Sequence, residues 1–163
     1  MSQSGPLVIT GGVGSSFLIQ EVRATFNTPQ TCTTRIPFDN TIPQNTEGDE
    51  VITVTITPSN AASILRIEFN VWGGTQGSNP VVALFQDAGT DAISVLANTL
   101  VTQGFFNFIY YMTAGTTLAT TFKIRMGTDA GAFRPLYILA DQNGNPIYGG
   151  AFQGSLSVNE FAN

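Results

Sequence analysis

The 163-residue sequence contains no histidine. That removes the most frequent general base and metal ligand, and the usual activator of a serine or cysteine nucleophile. Neither a nucleophile elbow of the G-x-S-x-G kind nor a phosphate loop of the G-x-x-x-x-G-K kind occurs. The one lysine, Lys123, falls on the polar parity of a strand-like run, and no serine is placed beside it. Cys32, the one cysteine, reads as a small apolar residue in a strand and rules out an intrachain disulfide and a cysteine-built metal site. Carboxylates are what remain. Glu47, Asp49 and Glu50 crowd the turn-like stretch NTEGDE, and Glu68 stands two residues from Arg66 on one strand face, the arrangement of a surface ion pair. Asp141, Asn143 and Asn145 space oxygen ligands as the start of a calcium loop does. The bidentate glutamate that completes such a loop is missing downstream, and Asn143-Gly144 between apolar runs is a hairpin signal. No cofactor is called for.

A different chemistry suits Trp72. It falls on the polar parity of its strand, next to the glycine-rich stretch 73–77. A sugar presents an apolar C–H face and hydroxyls together, so an aromatic ring with amides and a carboxylate around it can bind one. Trp72, Gln76, Asn79 and Asp87 are the candidates for such a site. The alternative is that Trp72 lies under the loop or in a subunit contact, because large apolar side chains are seldom left exposed singly. Tyr110, Tyr111, Tyr137 and Tyr148 are weaker candidates of the same kind.

The elements that must carry these residues are strands. Glu50–Thr57, Leu65–Trp72, Thr121–Met126 and Ser155–Asn159 alternate apolar and polar with period two, as strands with one buried face do. Phe17–Thr25, Thr31–Ile36, Val81–Gln86, Ile93–Leu96, Phe105–Met112 and Pro135–Ala140 read as strands of less regular pattern. Gly, Pro and Asn turn signals separate them, and no stretch holds a helical period. The expected fold is an all-β antiparallel sandwich of jelly-roll type, with about eight to ten strands. It is expected as one domain over residues 17–163, preceded by a Gly/Ser-rich leader or linker over 1–16.

Composition narrows the partners. Only 10% of residues are charged and the net charge is −5. The six basic residues form no run, so neither a phosphate backbone nor an anionic membrane surface is an expected partner. No apolar stretch approaches the ~18 residues that span a bilayer. The N-terminal residues show no basic region followed by an apolar run, so no secretory signal is expected there.

The run FFNFIYYM, residues 105–112, is apolar on both parities, interrupted only by Asn107. An antiparallel strand of that kind needs cover on both faces. Its own core supplies one cover. For the other, a neighbouring subunit is expected at Phe105, Ile109 and Tyr111, with cover from the same chain as the alternative.

Three segments carry a family resemblance. TTRIPFDNTIPQNTEGDEVITVTITPSNAASILRIEF (33–69), VALFQDAGTDAI (82–93) and GGAFQGSLSVNEF (149–161) resemble stretches of tailed-bacteriophage tail fibre and tailspike C-terminal domains. The order of strands also resembles, at fold level, the trimers of the tumour-necrosis-factor and C1q kind. The resemblance implies a virion component made in the bacterial cytoplasm, forming a homotrimer beside other tail fibre or tailspike segments. It implies binding to a host-surface receptor, commonly a glycan; the missing catalytic groups lead separately to the expectation of no enzymatic activity. The alternatives are a trimerisation or capping module without a ligand, a free-standing carbohydrate-binding module, and, last, a glycosidase working through a carboxylate pair.

Overall fold

The computed structural model describes residues 17–99 and 102–163, so the leader expected over 1–16 lies outside the described residues. Ten strands follow in order: β1 (Leu18–Phe26), β2 (Gln30–Cys32), β3 (Asp49–Ile56), β4 (Ile64–Gly74), β5 (Pro80–Gln86), β6 (Ser94–Ala97), β7 (Gln103–Thr113), β8 (Thr120–Thr128), β9 (Leu136–Ile138) and β10 (Gly154–Phe161). They form two antiparallel sheets. One runs β1-β10-β4-β7. Where β10 has run out, β9 pairs with Gly73 and Gly74 of β4, and β2 pairs with β9. The other runs β3-β8-β5-β6. From β2 to β9 the chain passes back and forth between the sheets, apart from the β5–β6 hairpin, while β1 and β2, and β9 and β10, stay in the first sheet. That order is the jelly roll expected from the sequence.

Period-two alternation builds the core directly. Leu65, Ile67, Phe69 and Val71 of β4, Phe106 and Phe108 of β7, and Leu156 and Val158 of β10 face inward from the first sheet. Ile52, Val54 and Ile56 of β3, Val82 and Leu84 of β5, and Phe122, Ile124 and Met126 of β8 face them from the second. All are buried, each apolar side chain contributing about 1.5–3 kcal/mol.

Two strands are apolar on both parities, and they meet different fates. The outward residues of β5, Val81, Ala83 and Phe85, are buried with Ile36 under the long β2–β3 connection. The outward residues of β7 have no such cover. Phe105 is 67% exposed, Ile109 44% and Tyr111 59%.

The connection that covers β5 is also where the expected strand Thr31–Ile36 stops short. Pairing ends at Cys32, because the Asp49 carboxylate captures the next backbone. It accepts from Thr33 N at 2.6 Å, Thr34 N at 3.1 Å and Thr34 Oγ1 at 2.5 Å. Asp49 is therefore a turn-builder rather than a freely solvated group. Burial opposes its ionisation, and the Thr34 and Thr33 donors outweigh that, holding the carboxyl below its usual range.

Glu160 breaks the inward pattern of β10. It is buried, and its carboxylate accepts from Gln20 Nε2 at 2.5 Å, Ser59 N at 2.9 Å, Ser59 Oγ at 2.7 Å and Asn60 N at 3.3 Å. One side chain thus ties β1, the β3–β4 turn and β10 together. Ser157 and Asn159, expected on the wet face, point outward but are buried too. They stand in a central strand opposite Arg23 and Glu68, and opposite Glu21 and Arg66, whose longer side chains overtop them.

Candidate functional site

The outer face of the first sheet is organised in cross-strand rows. At its β9-proximal end Trp72 of β4 pairs with Phe105 of β7. Their rings meet edge-to-face at 5.0 Å between centroids. Phe152, in the segment leading into β10, lies over the indole at 5.7 Å with the planes 11° apart. Tyr148 meets Phe152 edge-on at 5.0 Å and is 74% exposed. Four aromatic rings therefore form a continuous corner. Trp72 is partly covered, and its indole Nε1 is buried with no hydrogen-bond partner.

The next row along the same strands is polar. Asn107 of β7 donates to the amide oxygen of Asn70 on β4, and Asn70 donates to Glu68 at 3.1 Å. Glu68 also pairs with Arg66 at 2.6 Å, the surface ion pair expected from their spacing. Beyond the amides, Ile109 and Tyr111 continue the apolar stripe of β7. Among the described residues β7 is bonded only to β4, so its second edge is open. That edge holds no charged residue and no proline over its eleven residues.

The four residues expected to surround a sugar do not come together. Trp72 lies on the outer face of the first sheet. Gln76, in the β4–β5 loop, donates to Asn143 at 2.9 Å. Asn79 donates to Asp129 through its backbone at 3.0 Å and its side chain at 2.7 Å. Asp129 also accepts from Ser78; burial opposes its ionisation and these donors outweigh it, so its carboxyl titrates low. Asp87 sits on the other sheet, at the end of β5. Its Oδ1 accepts from Thr121 N at 2.8 Å, and its backbone holds a left-handed φ of 52°. It lines a polar pocket of about 260 Å³ with Asn45, Glu50, Lys123 and Arg125. Sequence proximity brought these residues into one candidate set, but the β4–β5 crossover carries the chain from one sheet to the other between Gly74 and Pro80.

Two members of the aromatic corner were hidden from that reading in different ways. Tyr148 was a weak candidate by residue type alone. Phe152 had no signal, because it lies outside any alternating run and reaches Trp72 only through the fold.

The Asp141–Asn145 stretch closes as a hairpin turn. Asp141 Oδ1 accepts from the backbones of Asn143 at 2.8 Å and Asn145 at 2.9 Å, and Oδ2 accepts from the Asn145 amide at 3.0 Å. The Asn145 donors, more than those of Asn143, hold the Asp141 carboxyl low. Gly144 turns the chain at φ 85°. Both Asp141 oxygens are engaged by the turn itself, and Asn143 Oδ1 accepts from Gln76. Cys32 is buried, and burial, then the charge of Asp49, pushes its thiol up to about 12.

The chain is thus an all-β jelly-roll domain with an aromatic corner and an apolar strand edge on one outer face. No protein-family model matches it. No curated protein matches it either. Among solved structures it is similar to one described as "EclA C-terminal domain; sugar-binding protein", at 18% identity and a TM-score of 0.37, over 84% of this chain and 85% of that one. A likeness at that TM-score carries no weight for the ligand of this chain, and the site is read from its own geometry.

Proposed function

We propose that this domain is a non-catalytic recognition module that binds a host-surface saccharide, as the homotrimeric tip of a phage tail fibre or tailspike. The observation that carries the saccharide reading is the aromatic corner of Phe105, Trp72, Phe152 and Tyr148 beside the Asn70–Asn107 amide row. The exposed rings of Phe105 and Tyr148 match the C–H face of a sugar, and the amides match its hydroxyls. Glu68, the carboxylate closest in the row order, is engaged by Arg66 and Asn70 and serves as a fixed acceptor rather than as a free acid or base. The virion assignment rests on the family-like segments of the sequence.

Trimer formation is supported by the uncharged open edge and exposed stripe of β7. A long apolar edge left uncovered invites pairing with another chain. The occupant we assign to it is a second copy of this chain. The same stripe supports a second reading, a trimerising cap without a ligand. A glycan array probed with the folded protein, read together with its mass in solution, separates the two. A trimer that binds glycans and loses them on Phe105→Ala supports the first reading. A trimer that binds none leaves the cap.

A further inference from the structure

Resting on the saccharide reading above, we infer that Trp72 is a covered subsite: Phe152 holds the place over the indole that a pyranose ring takes, and the segment from Tyr148 to Phe152 moves aside when the sugar binds.

Three independent features converge there. The indole N–H of Trp72 is buried and unpartnered. Native proteins seldom leave such a donor unpaired, and a buried Trp usually finds an acceptor. A sugar hydroxyl is an acceptor of the right kind, and Phe152 is not. Second, the cover is a nearly parallel stack, 11° between ring planes, so the surface Phe152 occupies is flat and ring-sized. Third, the segment bearing the cover is strained where it would swing. Tyr148, Gly149 and Gly150 hold φ of 53°, 59° and 83° in succession. Tyrosine is disfavoured in that region, and strain of this sort collects at ligand clamps. Nothing stands within 4 Å of where a side chain at Gly149 or Gly150 would project, so the hinge has room.

The base of the site is rigid by contrast. Trp72 sits within a continuous eleven-residue ladder to β7, with Phe105 beside it in a T-shaped pair. The ligand class follows: a neutral pyranose with a flat C–H face for the indole, a hydroxyl for its N–H, and further hydroxyls toward Asn70 and Asn107.

The chain's only tryptophan makes the test direct. The probes are the methyl β-glycosides of glucose, galactose, N-acetylglucosamine and mannose, titrated by fluorescence and by calorimetry. We expect at least one to shift Trp72 emission and change its acrylamide quenching. Phe152→Ala should raise quenching in the free protein and strengthen binding several-fold. Trp72→Phe, followed by calorimetry with its fold checked by circular dichroism, should weaken binding about tenfold, the scale of one lost buried hydrogen bond. If wild type binds a glycoside while Trp72 emission stays constant and Trp72→Phe binds equally well, the subsite is wrong and the saccharide reading survives. If neither wild type nor Phe152→Ala binds any of the four, the subsite is overturned, and the glycan array decides the broader reading separately.

Discussion

Trp72 and Phe105 stand opposite each other across the β4–β7 ladder, rings edge-to-face at 5.0 Å. A residue expected at a ligand site and one expected at a subunit contact are thereby one structural unit. The strand that would join subunits at Ile109 and Tyr111 also supplies, at its other end, a wall of the aromatic corner. On the proposed reading, recognition and assembly would be coupled by geometry, because whatever shifts β7 shifts the corner.

That coupling predicts how β7 variants behave. Tyr111→Ser and Ile109→Ser remove exposed apolar surface without touching the core, so each should leave the melting temperature of the isolated chain nearly unchanged. In the trimer they should weaken assembly. Light scattering should show about three times 17.3 kDa for wild type and a fall toward 17.3 kDa for the double variant on dilution. A monomer at all concentrations for wild type would remove the trimer from the proposal and leave the β7 stripe as ligand surface.

Glu160 makes stability depend on pH in a defined window. Burial alone would raise its carboxyl, but the donors from Gln20, Ser59 and Ser63 overcome that and hold it at about 2, against 4.5 when unperturbed. A folded-state value below the unfolded one gives stability that is complete above about pH 4.5 and is lost as pH falls toward 2. The separation corresponds to about 3 kcal/mol at most. Urea midpoints measured from pH 6 down to pH 2.5 should fall in wild type. Glu160→Gln should start lower and be flatter over that range, since the titrating group is gone.

Much of this fold was legible because strands advertise themselves with period two. β3, β4, β8 and β10 follow the alternating runs, and the number of strands pointed to the jelly roll. What was not legible were contacts made by residues distant in sequence. The Asp49 carboxylate ends β2 from sixteen residues away, and no pattern near Thr33 signals it. Val81–Phe85 is as two-faced as 105–112, yet only the fold shows that one strand is covered by its own chain and the other is not. The candidate site suffered likewise. Trp72 stood out as a large ring on a polar parity, but its neighbours are Phe105 and Phe152, not the adjacent Gln76 and Asn79.

Gly127 tests the strap over β5. It is buried in β8, and a methyl group there would collide with the Thr34 carbonyl and press on Ile36 at 3.2 Å. Both belong to the β2–β3 connection, which has to lie flat to bury Val81, Ala83 and Phe85. Gly127→Ala should therefore lift the strap and cost about 1–3 kcal/mol, as overpacking does. Thermal unfolding would register the loss. A variant as stable as wild type would mean that the connection yields without cost and is not a tight cover.

Cys32 offers a probe of whether the native fold opens at this edge. The thiol is buried and pushed up to about 12, by burial first and by Asp49 second, so almost none of it is thiolate at pH 8. The residues that follow it, Thr33 and Thr34, are pinned by Asp49, which keeps the strand end closed. A thiol reagent such as iodoacetamide should leave the native protein unmodified at pH 8 and label it fully in urea. Asp49→Asn weakens the pins and removes a charge opposing ionisation, so its effects on access and on reactivity both act toward faster labelling. Rapid labelling of the wild-type native state would show that β2 opens locally on the time scale of the reaction, with a free energy well below that of global unfolding.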